Sequence, residues 1–237
     1  MWTIYRHSRG MLYLAGGTAL HSEDLKPYQL YRCLYDNELS RSWIRPLEMF
    51  HENLSSGEPR FTPLARVRVV APEDEREVLA MGFAAWGEGR TLEEFISSYQ
   101  DDAHHLRGTA YSLELLDGSR VSALNTVRLS RHRYGLSRVV TEPHRRGQGY
   151  ATMLLQAVME LLHADEKDIR FLLFSEIGST FYERLGFQRL PDENGAFLPF
   201  EPMVSGGAPA SRLDPELLQR FFQDSGKNGR GALPRRR

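Results

Sequence analysis

The chain has 237 residues, 41% hydrophobic and 26% charged, an ordinary globular balance with room for one large domain or a medium and a small one. Its formal net charge of -1 leaves no basic excess to neutralise many phosphates, which argues against a general nucleic-acid binder and confines any anion site to a local feature. Cys33 is the only cysteine, so there is no disulfide framework or cysteine-based metal site, and a reducing cytoplasm fits. No apolar run approaches the roughly 20 residues of a bilayer span, and arginines interrupt the apolar N-terminus, so a soluble cytoplasmic protein without a membrane partner is expected.

Residues 1 to about 60 mix Tyr, Trp, Arg and His with short apolar runs split by turn residues, which predicts a small β-rich module. "SSGEPRFTP" (55–63) supplies a Gly and two prolines and reads as a connector. "ARVRVV" alternates and predicts a strand. "APEDEREVLAMGFAAW" predicts a helix, with Pro72 at its start and acids in the first turn, where the helix dipole favours them. "RTLEEFISSYQDD" predicts a second helix with Thr91 as N-cap.

Two strands, "TAYSLELL" and "RVSALNTVRL", should pair as a hairpin across Asp117-Gly118. "YGLSRVVT" is the next strand and leads into "EPHRRGQGYA" (142–151). An amphipathic helix, "GYATMLLQAVMELLH", follows, with Leu154, Leu155, Val158, Leu161 and Leu162 at helical spacing. "IRFLLF" predicts a buried strand, "STFYERLGF" a short helix ended by Gly186, and "AFLPFEPMV" a last strand. After Ser205 only "DPELLQRFF" carries a helical pattern, and the rest reads as a solvated tail. The irregular order of strands and helices predicts an α+β fold with a mixed sheet and disfavours a Rossmann domain.

A strand, a glycine turn and a helix form a general recipe for binding phosphate, because backbone N–H groups point outward at the helix N-terminus. The turn at 142–151 lacks the third glycine of a dinucleotide fingerprint and the Gly-Lys-Ser/Thr of a P-loop. What remains is Arg146-x-x-Gly149-x-Ala151 between a strand and a helix. This pattern resembles the pyrophosphate motif of the GNAT superfamily of acyl-CoA N-acyltransferases, and "FYERLGF" (181–187) resembles that superfamily's signature helix and turn. The resemblance spans residues 65 to 204.

The resemblance implies that N–H groups of Arg146, Gly147, Gln148, Gly149, Tyr150 and Ala151 wrap the pyrophosphate of acetyl-CoA, with Arg145 and Arg146 near the phosphates. It also implies that the backbone of Val139, Val140 and Thr141 bonds the pantetheine arm and thioester. Ser175 stands where many members carry an asparagine beside the coenzyme, which leaves that contact open. Acylation of an amine needs a proton removed from nitrogen and a proton supplied to the leaving thiolate. Tyr182 matches the tyrosine that many members use as general acid, or it packs the helix on the sheet. Glu142 and Glu176 each follow a strand of the expected cleft and are candidates for the base, with Glu142 put first. Trp86 either roofs the acceptor site or belongs to the core, and His104 and His105 are expected at the surface. "SEIG" resembles a subset that includes enzymes acting on free amino acids.

"IYRHSRGMLYLAGGTALHSED", "YRCLYDN" and "SWIRPLEMFHE" resemble a small bacterial family known as domain of unknown function 1653, over residues 3 to 64. That implies a compact β fold without an assigned activity. His7, His21, Glu23 and His51 lack paired ligand spacing and are expected as polar residues on a small barrel, with no metal bound. The Tyr, Trp and Arg content also suits a recognition surface for a peptide or a modified nucleotide.

The expected organisation is therefore a β-rich module over 1–64, an acetyltransferase domain over 65–204, and a short helix with a basic tail over 205–237. The expected activity is transfer of an acetyl group from acetyl-CoA to an amine of a small molecule or peptide, without nucleic acid or metal. The rival is a non-catalytic acyl-CoA sensor or scaffold. The oligomeric state stays open, a homodimer included.

Overall fold

A computed structural model describes residues 1–99, 105, 107–165, 168–192, 195–206 and 215–224. The expected α+β class holds: a β-rich N-terminal region, and a sheet with helices in which one pairing is parallel and the others with a described register are antiparallel. The chain divides into two compact units. One comprises Met1–Val69, Tyr111–Ala123 and Thr141–Leu161; the other comprises Val70–Ala110, Leu124–Val140 and Leu162–Arg237.

The first unit opens with β1 (Trp2–His7), β2 (Leu12–Leu20), β3 (Pro27–Cys33) and β4 (Ser42–Pro46), followed by a single-turn helix, α1 (Leu47–His51), and by β5 (Phe61–Val69). The neighbours run β5-β1-β2-β3-β4, all antiparallel, with a register shift in β2 between Ala15 and Thr18. The row curls until its ends meet. Phe50, which follows β4, stacks on Phe61 of β5 with ring centroids 4.3 Å apart and planes 8° apart. Tyr13 and Tyr31 complete this aromatic core at 5.6 and 5.7 Å from Phe61. Aromatic rings suit so small a core because each buries a large area for few residues.

The stretch expected as a connector, 55–63, already enters β5 at Phe61. Along its length β5 pairs with β1, and from Ala65 to Val69 it also pairs with Leu115 to Tyr111 of β6 (Thr109–Leu115). The boundary expected at 64/65 therefore falls inside a strand that pairs on both edges. The hairpin to β7 (Arg120–Ser130) turns where expected, with Gly118 at φ 90° and Asp117 Oδ1 accepting from the Ser119 N–H at 2.9 Å. In the helix α5 (Tyr150–Asp165), Leu154, Leu155, Ala157 and Val158 are fully buried, while Leu161 and Leu162 are half-buried. From the same helix Glu160, itself buried, accepts from Arg32 at 3.3 Å and Arg41 at 3.4 Å.

In the second unit the predicted first helix is broken into a 3-10 turn at Pro72–Asp74, α2 (Glu75–Met81) and α3 (Phe83–Trp86). Next, α4 (Leu92–Ser97) starts at Thr91 as expected, in a capping box whose Thr91 Oγ1 accepts from the Glu94 N–H at 3.2 Å. His105 pairs with Glu75 at 2.8 Å, whereas His104 lies outside the described residues. The strands β8 (Arg133–Thr141), β9 (Arg170–Ser175), β10 (Phe187–Arg189) and β11 (Glu201–Ser205) run in the order β10-β11-β9-β8. Of the run "AFLPFEPMV" only the end is strand, and β10 is an addition to the expected set. A short helix, α6 (Thr180–Glu183), stands between β9 and β10.

The last helix, α7 (Pro215–Asp224), belongs to this core: Leu218, Phe221 and Phe222 cluster with Val127, Leu172, Phe174 and Val204. Gly135 of β8 lies directly under it, and a Cβ there would meet Phe221 Cε2 at 2.3 Å.

Two stability measurements follow from this packing. Phe50→Ala should cost about 3–5 kcal/mol in denaturant unfolding, because the stacked ring is fully buried. Gly135→Ala should cost about 1–3 kcal/mol, because the Phe221 ring is held on its other sides by the core.

Candidate active site

Between β8 and β9 the pairing is parallel and short: Arg133, Tyr134 and Gly135 stand opposite Arg170, Phe171 and Leu172. Beyond those three pairs the strands line a cleft with Leu136, Ser137, Arg138 and Val139 from β8 and Leu173, Phe174, Glu176 and Ile177 from β9 and the residues after it. The cleft encloses roughly 530 Å³ of empty space, part of it open solvent, and Trp86, Tyr182 and Phe221 complete its lining. Arg138 takes a left-handed backbone conformation with φ 52°, uncommon for a residue with a side chain, in the stretch where β8 borders the cleft. Its guanidinium lies over the Tyr99 ring, 4.8 Å from the centroid.

Tyr182 sits on α6 with only 7% of its surface exposed, its ring edge-on to Phe181 and Phe187. Burial pushes its phenol pKa well above the ordinary value, and the Glu176 carboxylate raises it further. The hydroxyl therefore stays protonated at neutral pH, the state a proton donor needs. Glu176 is anchored in turn, because its Oε2 accepts from the Trp86 indole N–H at 2.8 Å. Trp86 on α3 and Glu176 after β9 thus form one polar wall of the cleft. Ser175, buried just before Glu176, turns inward: its Oγ donates to the Gly178 carbonyl at 2.6 Å and accepts from the Ile177 N–H at 3.3 Å.

In the first unit, the turn at 142–151 has its own architecture. Glu142 donates its N–H to the Val121 carbonyl at 3.0 Å, and Pro143–Arg145 form a 3-10 turn. Arg146 folds back so that its Nε donates to the Thr141 carbonyl at 3.3 Å, while the Thr141 hydroxyl lies 3.2 Å from that of Ser122. Gln148 caps the turn weakly through its side chain to the His144 carbonyl at 3.5 Å.

Gly147 and Gly149 have φ of 76° and 82°, so side chains are disfavoured there by backbone conformation even though a Cβ would meet nothing closer than 4.0 Å. Residues 143–149 are exposed, and the first helical bond after the turn runs from the Met153 N–H to the Gly149 carbonyl. The preceding N–H groups, those of Tyr150, Ala151 and Thr152, are the ones a helix start leaves for an outside acceptor.

The structure thus brings Tyr182 and Val139 into one cleft with Trp86, Glu176 and Arg138. Val140 is buried in β8, and Glu142 is not among the cleft-lining residues. Arg138 and Phe221 were missed from the sequence. Nothing in "LSRVV" signals a left-handed arginine, and Phe221 lies far along the chain from the motifs. Among the described residues no group of three His, Cys, Asp or Glu is placed to hold a metal ion, and no helix is long and apolar enough to cross a membrane.

Comparison with known proteins bears out the resemblances. The model of the family "protein of unknown function (DUF1653)" matches residues 3–63, and that of the acetyltransferase (GNAT) domain matches residues 114–189. No curated protein matches the chain. Among solved structures, the PaiA N-acetyltransferase of Thermoplasma acidophilum in complex with coenzyme A is 14% identical with a TM-score of 0.47, over 60% of this chain and 98% of its own. A GNAT-family acetyltransferase of Staphylococcus aureus is 12% identical with a TM-score of 0.45, over 60% and 98%. The spermidine/spermine N-acetyltransferase SpeG of Vibrio cholerae is 14% identical with a TM-score of 0.44, over 60% and 91%. The chain therefore joins a segment that matches the DUF1653 family, residues 3–63, to one that matches the GNAT acetyltransferase domain, residues 114–189.

Proposed function

We propose that the protein transfers an acetyl group from acetyl-CoA to the primary amine of a small molecule or peptide. The observation that carries this reading is Tyr182, a buried, protonated phenol in the cleft where β8 and β9 part, within the segment that matches the acetyltransferase domain. The amine nitrogen attacks the thioester carbonyl carbon, the C–S bond breaks, and Tyr182 gives its hydroxyl proton to the departing sulfur. An amine of the lysine type has a pKa of about 10.4, so a base has to take a proton from nitrogen before or during attack. Glu142 and Glu176 are the two carboxylates to be tested for that role; Glu176 lines the cleft and Glu142 does not.

The pyrophosphate of the coenzyme is assigned to the N–H groups between Arg146 and Ala151, with Arg145 and Arg146 as counter-charges. The pantetheine arm is assigned to the backbone of Val139, Val140 and Thr141. Ser175, whose hydroxyl is bonded within the turn after β9, is the further candidate beside the coenzyme. Residues 1–64 are assigned to recognition and 65–204 to transfer, in a cytoplasmic enzyme.

Release of coenzyme A thiol from acetyl-CoA over a panel of amino acids, polyamines, aminoglycosides and peptides tests the activity. Turnover with any amine supports it; acetyl-CoA binding without turnover on the whole panel leaves a sensor. Tyr182→Phe keeps the ring packing and removes the proton donor, so turnover should fall by about 10²–10⁴-fold with acetyl-CoA affinity nearly unchanged. Because burial raises the phenol pKa, no alkaline loss of wild-type activity from Tyr182 is expected below about pH 10. Gly149→Ala and Gly149→Val should both weaken acetyl-CoA in calorimetry, valine more. Unchanged affinity in folded variants would move the pyrophosphate site elsewhere.

A further inference from the structure

Given the acetyltransferase reading, on which this rests, we infer that Glu176, held in place by Trp86, selects the acceptor as an amine cation with an apolar body and no carboxylate beside the nitrogen. Among the described residues that line the cleft, Arg138 and Glu176 are the two that carry a charge. Arg138 withholds its charge from a ligand: its guanidinium lies over the Tyr99 ring, 4.8 Å from the centroid, and its Nη1 and Nη2 are closed to solvent. Glu176 is exposed, so its carboxylate is the charge that an entering molecule meets.

The Trp86 indole fixes that carboxylate without cancelling its charge. It donates to Glu176 Oε2 at 2.8 Å, and an indole N–H is a neutral donor. A carboxylate offers about four acceptor sites, so a donor from the protein and another from a ligand share it readily. The bond from an ammonium to a carboxylate is charge-assisted and roughly twice as strong as one between neutral groups. The Trp86 ring belongs to the same lining, and the face of an indole attracts a cation and repels a carboxylate. Both members of the pair therefore favour an ammonium group.

The rest of the lining suits an uncharged body. Val139 and Ile177 supply apolar surface, and Ile177 is exposed, so a hydrocarbon part of the ligand gains by covering it. Tyr182 is buried and uncharged, so it offers no positive charge to an anion. A carboxylate on the carbon that bears the nitrogen would be carried toward Glu176 together with that nitrogen. Like charges brought close in a partly dry cleft repel. An α-amino acid is therefore disfavoured at its α-nitrogen, whereas a simple amine or a lysine side chain is accepted.

The test uses the whole chain with coenzyme A present and follows the Trp86 indole N–H signal by nitrogen-15 NMR, assigned by its loss in Trp86→Phe. 2-Phenylethylamine is titrated in one arm and phenylalanine in the other, two probes that differ only by the carboxylate. Saturable shifts are expected, with 2-phenylethylamine bound about tenfold or more tighter. Glu176→Gln keeps an oxygen to accept from the indole and removes the charge at an exposed position, so it should fold normally. It should weaken 2-phenylethylamine about tenfold and narrow the gap between the probes. The signal needs no acetyl transfer. Preference for 2-phenylethylamine without release of thiol from acetyl-CoA would remove the transferase and keep the amine site; release without preference would do the reverse. Equal or tighter binding of phenylalanine, absence of saturation with both probes, or unchanged affinity in Glu176→Gln would overturn the assignment.

Discussion

The shortness of the parallel pairing between β8 and β9 is the constraint on which the cleft depends. Two parallel strands that stayed bonded along their length would bury their inward backbone groups in each other and leave no opening. Here the ladder stops at Gly135 and Leu172, and the strands continue as opposite walls. A close packing contact lies at the last pair of that ladder. Phe221 presses on Gly135, where a Cβ would collide with its ring, and the same ring then reaches the cleft lining. A residue of α7 therefore lines an opening whose walls come from residues 136–139 and 173–177.

Within the cleft, electrostatics and burial act in the same direction on Tyr182. Desolvation disfavours the phenolate, and the carboxylate of Glu176 adds repulsion. Glu176 keeps its place through the Trp86 indole, so a residue of α3 helps to orient the group that tunes the phenol. The Trp86–Glu176 contact answers the question of whether that tryptophan faces the cleft or the core. It faces the cleft.

The first unit shows a different kind of coupling. Its small sheet closes around Phe50, Phe61, Tyr13 and Tyr31, and the strand that closes it, β5, also pairs with β6. Glu160 of α5 accepts from Arg32 and Arg41 of the N-terminal region while 7% exposed. Two arginines around one buried carboxylate offset its desolvation only while both stay in place, and losing them leaves an uncompensated buried charge. The helix that follows the glycine turn is thus tied by charge to the segment before β5, although family patterns divide the chain between them.

The sequence by itself determined the local elements and the two family patterns. Alternation in "ARVRVV", Asp117-Gly118 at the hairpin, Thr91 three residues before Glu94, and paired glycines before an amphipathic run are all local signals, and each describes what its own few residues do. They were legible because backbone conformation at Gly147, Gly149 and Gly118, and capping at Thr91, depend on neighbours in sequence. The boundary of the N-terminal module was less legible, since Gly and Pro mark a turn but do not say that the strand after it pairs on both edges. The Ser175 contact stayed open in the sequence, which does not show the turn within which its hydroxyl is bonded. The Arg138–Tyr99 contact, the packing of Phe221 on Gly135 and the Trp86–Glu176 bond were decided by tertiary structure alone. Each joins residues from different elements, and such contacts follow from how sheets curl and part, which no single stretch of the chain encodes.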